Sequence, residues 1–369
     1  MPTPLTVVSL STSCWGAEES MLTLLGHLDV PARVAAPAGE LVDAARAAGH
    51  ATLTLTDPAV RRLGDIGKGI GAAGTGPALL GAAAALAGQP LWGKGPVVSF
   101  SMWLHLPLAL AGRARGARVV LDLHDGPFTA AGAAVQSAAA FAATRVVATS
   151  RTALDHVGRW PHRRAAVVPR PVELPAGLGA AGETTGDETV ADGTTPLRAV
   201  IVGRLDPEKR VDVALEAQRR ARAAGVPVEL TVVGAPHNGE PGLDHLRARW
   251  PDARFTGRLP HDAVLTELTG ADLLVSTATG EAFGRTVVEA ALLGVPSLVV
   301  GGGPAENVRD GRTGLLATGT GPDEVAAGLA RAAADRAALT SMGAAARAEL
   351  GALCDPATVT RQWWAEVAG

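Results

Sequence analysis

The run Gly280-Glu281-Ala282-Phe283-Gly284-Arg285-Thr286-Val287-Val288-Glu289-Ala290 sets two glutamates eight positions apart, around Phe-Gly and the start of an apolar helical pattern. Leu273-Leu274-Val275-Ser276 lies ahead of it and reads as a buried strand. The order is strand, small-residue loop with an acid, then helix with a second acid. In an open α/β sheet such a loop sits at the carboxyl edge, where ligands bind. Backbone N–H groups at the helix start favour an anion such as a phosphate. Glu281 falls beside that anion. Glu289 falls about 7–8 Å along the helix from Gly284, its side chain tilting back toward the start. Two carboxylates flanking an anion site can bind hydroxyls on either side of it. A nucleotide sugar has that layout of sugar, diphosphate and ribose.

A second element points the same way. Ala199-Val200-Ile201-Val202-Gly203-Arg204-Leu205-Asp206-Pro207-Glu208-Lys209-Arg210 reads as a strand running into Gly-Arg, with a lysine five residues after Arg204. A guanidinium fork and an ammonium at a strand's carboxyl end can neutralise a diphosphate. Lys209 is one of only three lysines in the chain, which argues against a casual surface charge. Together the two elements resemble the Glu-x7-Glu and Gly-Arg-x4-Lys motifs of the retaining glycosyltransferases of family 4, also called glycosyl transferases group 1. The resemblance is continuous over about residues 197–345. It implies an α/β fold of the GT-B type: two Rossmann-like domains with a cleft between them. It implies that Arg204 and Lys209 bind the donor diphosphate, and that Glu281, Ala282, Phe283, Gly284, Arg285 and Glu289 line the donor. Phe255-Thr256-Gly257-Arg258-Leu259 resembles the family segment whose backbone meets the base, so Arg258 and Leu259 join the expected donor site. Gly303 to Gly314 resembles a loop and turn after the next strand, with Glu306 as readily structural as functional.

The composition is that of a soluble globular chain, 47% hydrophobic and 19% charged, and 369 residues suggest two domains. Residues 1–172 carry 15 Lys/Arg against 10 Asp/Glu, and residues 173–369 carry 18 against 26. The mildly basic first part fits an anionic acceptor, peripheral membrane contact or an ordinary solvated face. No block of like charge suggests nucleic acid. Cys14 and Cys354 are far apart and suggest neither a disulfide framework nor a zinc site. The short apolar run Leu5 to Leu10 reads as a first strand rather than a signal peptide, and the expected location is the cytoplasm.

Strand-length apolar runs alternate with helical patterns throughout, which predicts parallel sheets covered by helices in two successive units. Strands are expected at 5–10, 33–36, 52–55, 97–101, 119–123, 145–149 and 166–168. A second series follows at 199–202, 230–233, 254–256, 272–276 and 297–300. Helices are expected at 40–48, 211–223 and 323–336. Residues 173–196 are acidic, rich in Gly and Thr and nearly free of large apolar groups, and read as a flexible linker. The boundaries are thus 1–172, 197–355 and a terminal helix 356–369 carrying Trp363-Trp364. That helix either crosses back to the first domain, as in transferases of this type, or packs on its own.

In the first domain, Trp15-Gly16-Ala17-Glu18 follows the first strand. The resemblance implies that the amide of Gly16 approaches the donor phosphate, although Trp15 stands where a glycine is common. Trp15 either walls an acceptor pocket or belongs to the core. Leu121-Asp122-Leu123-His124-Asp125-Gly126 ends a buried strand in a histidine. Many relatives place a histidine there beside the reaction centre, so His124 joins Glu281, Arg204 and Lys209 as the expected catalytic set. One histidine between two acids is an incomplete metal-ligand set, and no metal is expected. Asp125 orients His124 or caps the next helix.

The glycines of 69–74 formally match Gly-x-Gly-x-x-Gly but follow no clear strand, and 88–94 nearly match a P-loop but have Gly95 in place of the required Ser/Thr and Pro90 within the loop, so both read as flexible loops. The expectation is a metal-independent, retaining transferase with no cofactor. A nucleotide diphosphate sugar, uridine favoured over guanosine, is its co-substrate. The acceptor is a hydroxyl on a small molecule, secondary metabolite or cell-envelope glycan. A catalytically silent transferase-like partner and a nicotinamide-dependent oxidoreductase are the alternatives. The oligomeric state is not legible.

Overall fold

The structure is a computed structural model. It describes residues 4–66, 72–125, 130–155, 157, 164–175, 195–236 and 240–369. The chain divides into one unit of residues 1–171 with 356–369 and a second unit of residues 172–355. Most of the segment expected to be a linker lies outside the described residues. Val172 and Leu174 pack among the apolar side chains of the second unit.

The first unit holds a seven-stranded sheet of β1 (Leu5–Val8), β2 (Ala32–Ala36), β3 (Ala51–Thr54), β4 (Val97–Ser99), β5 (Val119–Leu123), β6 (Arg145–Ala148) and β7 (Ala165–Val167). Their order is β3-β2-β1-β4-β5-β6-β7, and every pair is parallel. The second unit holds β8 (Leu197–Val202), β9 (Val228–Val233), β10 (Arg254–Gly257), β11 (Leu273–Ser276), β12 (Ser297–Val299) and β13 (Gly314–Leu316). Their order is β10-β9-β8-β11-β12-β13, again all parallel. Strand order reverses between β1 and β4 and between β8 and β11. Those switch points open a crevice at the carboxyl ends of the strands.

Alternation along the strands builds the layers. In the second unit Leu197, Ala199 and Ile201 face one apolar cluster with helix Val211–Ala223. Val200 faces the other, with helices His261–Thr269 and Arg285–Leu292. The strand at Gly314–Leu316 was not anticipated. Three residues are too few to show a period, and the glycines around it read as a turn. The helix expected at 323–336 ends at Ala334, and a second helix spans Arg336–Leu353. Asp335 makes the break, its carboxylate accepting from Ala338 N at 2.8 Å. The terminal helix Pro356–Ala368 belongs to the first unit, where Val359, Trp363 and Val367 join the core.

Candidate functional site

The second unit's switch point gathers the two expected cations. β8 runs into Gly203, whose φ is +150°, and β9 into Gly234, whose φ is +135°. A Cβ on Gly234 would stand 1.9 Å from the carbonyl oxygen of Gly203, so only glycine permits this approach. The chain then turns through Pro207–Lys209 to Arg210, which has φ 50°. Thr277, just past β11, stabilises that left-handed turn. Its Oγ1 donates to the carbonyls of Lys209 at 2.8 Å and Arg210 at 2.9 Å. A concavity follows, lined by Gly203, Arg204, Lys209, Thr277, Glu281 and Thr286. Lys209 Nζ lies 2.9 Å from Glu281 Oε2. Arg204 stands at the rim, 62% exposed, with Nε 3.3 Å from Asp206 Oδ2.

The Glu281 loop is held from behind. Gly303 N donates to Glu281 O at 2.8 Å, and Asn307 Nδ2 donates to Phe283 O at 2.6 Å. Gly284 precedes helix Arg285–Leu292 with φ +80°, and a Cβ there would meet Pro304 at 2.8 Å. The side chains of Ala282 and Phe283 are buried, Phe283 against Val288 and Leu350. The lining of the concavity takes in Glu281 and Thr286 but neither Ala282 nor Phe283. The segment 302–306, expected as loop, is a short helix that supports Glu281.

Glu289 is nearly inaccessible. Its Oε1 accepts from Arg285 Nε at 2.8 Å and from His261 Nε2 at 3.1 Å. Burial pushes its pKa up, but the hydrogen bond from His261 and the charge and hydrogen bond of Arg285 outweigh this and leave it lowered. Arg258 is exposed and Leu259 half-buried against the core. His261, Thr277 and Asn307 escaped the reading of the sequence. A lone histidine after a proline, a threonine after a strand and an asparagine in a glycine-rich loop carry no pattern of their own.

In the first unit His124 follows β5, its side chain 8% exposed. It stacks on Phe100 with ring centroids 4.0 Å apart. Asp122 Oδ1 is 3.7 Å from His124 Nδ1, and Asp125 Oδ2 is 3.5 Å from Nε2. The two acids sit at opposite nitrogens and do not converge on one point. Among the described residues no group of three or more His, Cys, Asp or Glu side chains could hold a metal ion. Asp122 is buried, and accepts from Arg170 Nη2 and from Trp363 Nε1 at 2.9 Å. Burial pulls Arg170 down to about 9.

Gly16 opens helix Gly16–Gly26, and Glu18 Oε2 accepts the backbone N–H of Trp15 at 3.1 Å. A carboxylate of the chain thus already serves this helix start. Trp15 is 43% exposed, which excludes the core alternative. Of the glycine runs expected as loops, residues 69–71 lie outside the described residues, and Ala72 to Gly74 are instead inside helix Ala72–Gly88. The P-loop-like run precedes β4 instead of following a strand, so it lacks the strand–loop–helix order of a phosphate loop. No helix among the described residues is long and apolar enough to cross a membrane.

Residues 188–349 match the family model described as glycosyl transferases group 1. A D-inositol 3-phosphate glycosyltransferase of Geodermatophilus obscurus is 34% identical over 223 residues, which cover 55% of this chain and 48% of that protein. A glycogen synthase of Mycobacterium tuberculosis is 36% identical over 157 residues, 42% of this chain and 36% of that protein. The chain spans about half the length, or less, of these curated relatives. Among solved structures, Anabaena Alr3699/HepE in complex with UDP and glucose superposes with a TM-score of 0.73 at 20% identity, covering 98% of both chains. Sucrose-phosphate synthase from Thermosynechococcus elongatus superposes with a TM-score of 0.71 at 16% identity, covering 98% and 97%. At these identities the likeness is one of fold. Over residues 188–349 the chain is thus similar to the glycosyl transferases group 1 family, and the two parallel α/β units have the GT-B fold.

Proposed function

We propose that this chain is a retaining, metal-independent glycosyltransferase that moves a sugar from a nucleotide diphosphate sugar to an acceptor hydroxyl. The observation that carries it is the Lys209–Glu281 pair, with Arg204 beside it, at the switch point of the family-matched unit. Lys209 and Arg204 bind the diphosphate, Glu281 the sugar hydroxyls and Glu289 the ribose. The backbone of Ala282 to Gly284 closes the anion site. Transfer is front-face: the acceptor oxygen bonds the anomeric carbon as the carbon–phosphate-oxygen bond breaks, and the hydroxyl proton passes to the leaving diphosphate. The protein supplies positioning and stabilisation of leaving-group charge. His124 and the exposed Trp15 belong to the acceptor side. A uridine donor is favoured, since one fold neighbour is described with UDP. A relative from Corynebacterium glutamicum named GDP-mannose-dependent alpha-mannosyltransferase keeps guanosine as the alternative.

The test is nucleotide release from UDP-glucose and GDP-mannose with a panel of sugar, inositol-phosphate and small aglycone acceptors, with and without chelator. The expected result is release that survives chelation, with an α-configured product from an α-configured donor. An inverted product, reversible loss of activity in chelator, or donor binding without transfer to any acceptor would each overturn part of the reading. The last outcome favours the silent-partner alternative.

A further inference from the structure

Glu289 has almost no access of its own, with its side chain 5% exposed. Two donors cover it. Arg285 lies one turn away on the same helix and is fixed relative to it. His261 comes from another element, as the first residue of helix His261–Thr269, and its side chain is 36% exposed. It is the more exposed of the two, and its side chain can turn away without moving the helix that carries Glu289 and Arg285. Taking Glu289 as the ribose ligand of the reading above, we propose that His261 is a positioning residue, a proton-sensitive latch on the ribose subsite. The neutral imidazole yields Glu289 to the ribose hydroxyls, and the imidazolium holds it.

The chemistry is one of competition for one acceptor. A neutral ring donates an ordinary hydrogen bond to Glu289, whereas the imidazolium donates a charge-assisted one, roughly twice as strong. Burial has removed the water that would otherwise weaken that difference. Burial alone would raise the pKa of Glu289, but the hydrogen bond from His261 and the charge and hydrogen bond of Arg285 hold it below the ordinary carboxylate range. The charged groups of the facing helix are Glu289 and Arg285, and Arg258 and Asp262 flank His261 on its own segment. On the sheet side, Val200 and Val202 share the apolar cluster of Leu265 and Leu268. Of these side-chain types, imidazole is the one whose charge ordinarily changes near neutral pH.

Calorimetric titration with UDP-glucose and GDP-mannose tests the latch, since neither diphosphate diester titrates in this window. Wild-type affinity for the donor that binds should rise from pH 5.5 to 7.5, by no more than about tenfold per pH unit, as expected when one imidazole must lose its proton first. His261→Asn should bind at pH 5.5 as tightly as wild type does at pH 7.5, with no pH dependence. In Glu289→Gln the dependence should also vanish. A flat wild-type profile, an affinity that falls with rising pH, or an unchanged profile in His261→Asn overturns the latch and leaves nucleotide-sugar binding standing. Binding of neither donor by wild type at any pH overturns both.

Discussion

Lys209 and Glu281 neutralise one another across 2.9 Å, and that pairing sets what each substitution does. On the proposed reading, Lys209→Ala removes a phosphate ligand and leaves Glu281 as an uncompensated carboxylate facing an incoming diphosphate. Arg204→Ala removes only a rim cation, one that is 62% exposed. Each charge-assisted hydrogen bond lost costs about 1.5–3 kcal/mol, or roughly 10- to 150-fold in affinity. Lys209→Ala should therefore weaken donor binding more than Arg204→Ala, and adding Glu281→Gln should recover part of the loss for the free nucleoside diphosphate, which makes no sugar contact. Calorimetry on the three variants checks the order. Equal affinities across all of them would remove both cations from the site.

A second residue-scale expectation concerns His105, buried on helix Met102–Arg115 and hydrogen-bonded to Ser99 Oγ through Nδ1 at 2.8 Å. Burial, with a smaller contribution from His124, pulls its pKa down to about 3. The unfolded chain therefore binds the proton at higher pH than the folded chain does. Stability contributed by the neutral ring is present above pH 6.5 and is lost as pH falls from there toward 3, with a slope of at most about 1.4 kcal/mol per pH unit. Urea denaturation of wild type and His105→Gln between pH 4.5 and 7.5 should show the steeper decline in wild type. Parallel curves would show that His105 does not govern it.

At the scale of elements, the Glu281 loop is shaped by the short helix Gly302–Glu306 as much as by its own residues. A Cβ on Gly303 would fall 1.7 Å from the carbonyl oxygen of Ala282, so Gly303→Ala must push one of the two segments away. The hydrogen bond from Gly303 N to Glu281 O would be lost with it. Gly303→Ala should weaken donor binding by at least tenfold, about 1.4 kcal/mol, and a donor affinity equal to wild type would show the loop to be set elsewhere. This contact also marks how far the sequence was legible. That Arg204, Lys209 and Glu281 share one concavity was readable because their charges fall at fixed offsets from strands of strong apolar pattern. β13 and the helix 302–306 were not, because elements of three to five residues show no period. Asn307 and Thr277 hold backbone carbonyls, and such contacts become visible only once distant segments are side by side. The burial of Glu289 was equally hidden, since its exposure depends on His261, 28 residues away in sequence.

At the scale of the whole molecule, the first unit is built from two segments separated by the entire second unit. The terminal helix Pro356–Ala368 must therefore be bound firmly enough to offset the entropy of closing that long path, which grows only slowly with length. Val359, Trp363 and Val367 supply the apolar contact with Leu5, Met21 and Val147. Arg118 donates to the carbonyls of Val367 at 2.8 Å and Glu366 at 3.2 Å, placing a cation at the helix C-terminus. Arg145 Nε holds Glu366 at 2.7 Å. Trp363 adds the polar link, its indole donating to the buried Asp122. Trp363→Phe keeps most of the apolar body but leaves Asp122 Oδ2 without that donor, for about 1–3 kcal/mol. Trp363→Ala opens a large cavity as well, for about 3–5 kcal/mol or more. Because the helix belongs to the first unit, the loss should fall in that unit's sheet. Hydrogen exchange should show β1, β4, β5 and β6 losing protection in both variants, more in Trp363→Ala, while β8, β9 and β11 keep theirs. An equal loss in both sheets would mean that the units unfold as one, and unchanged protection in β5 would mean that Asp122 does not need the indole.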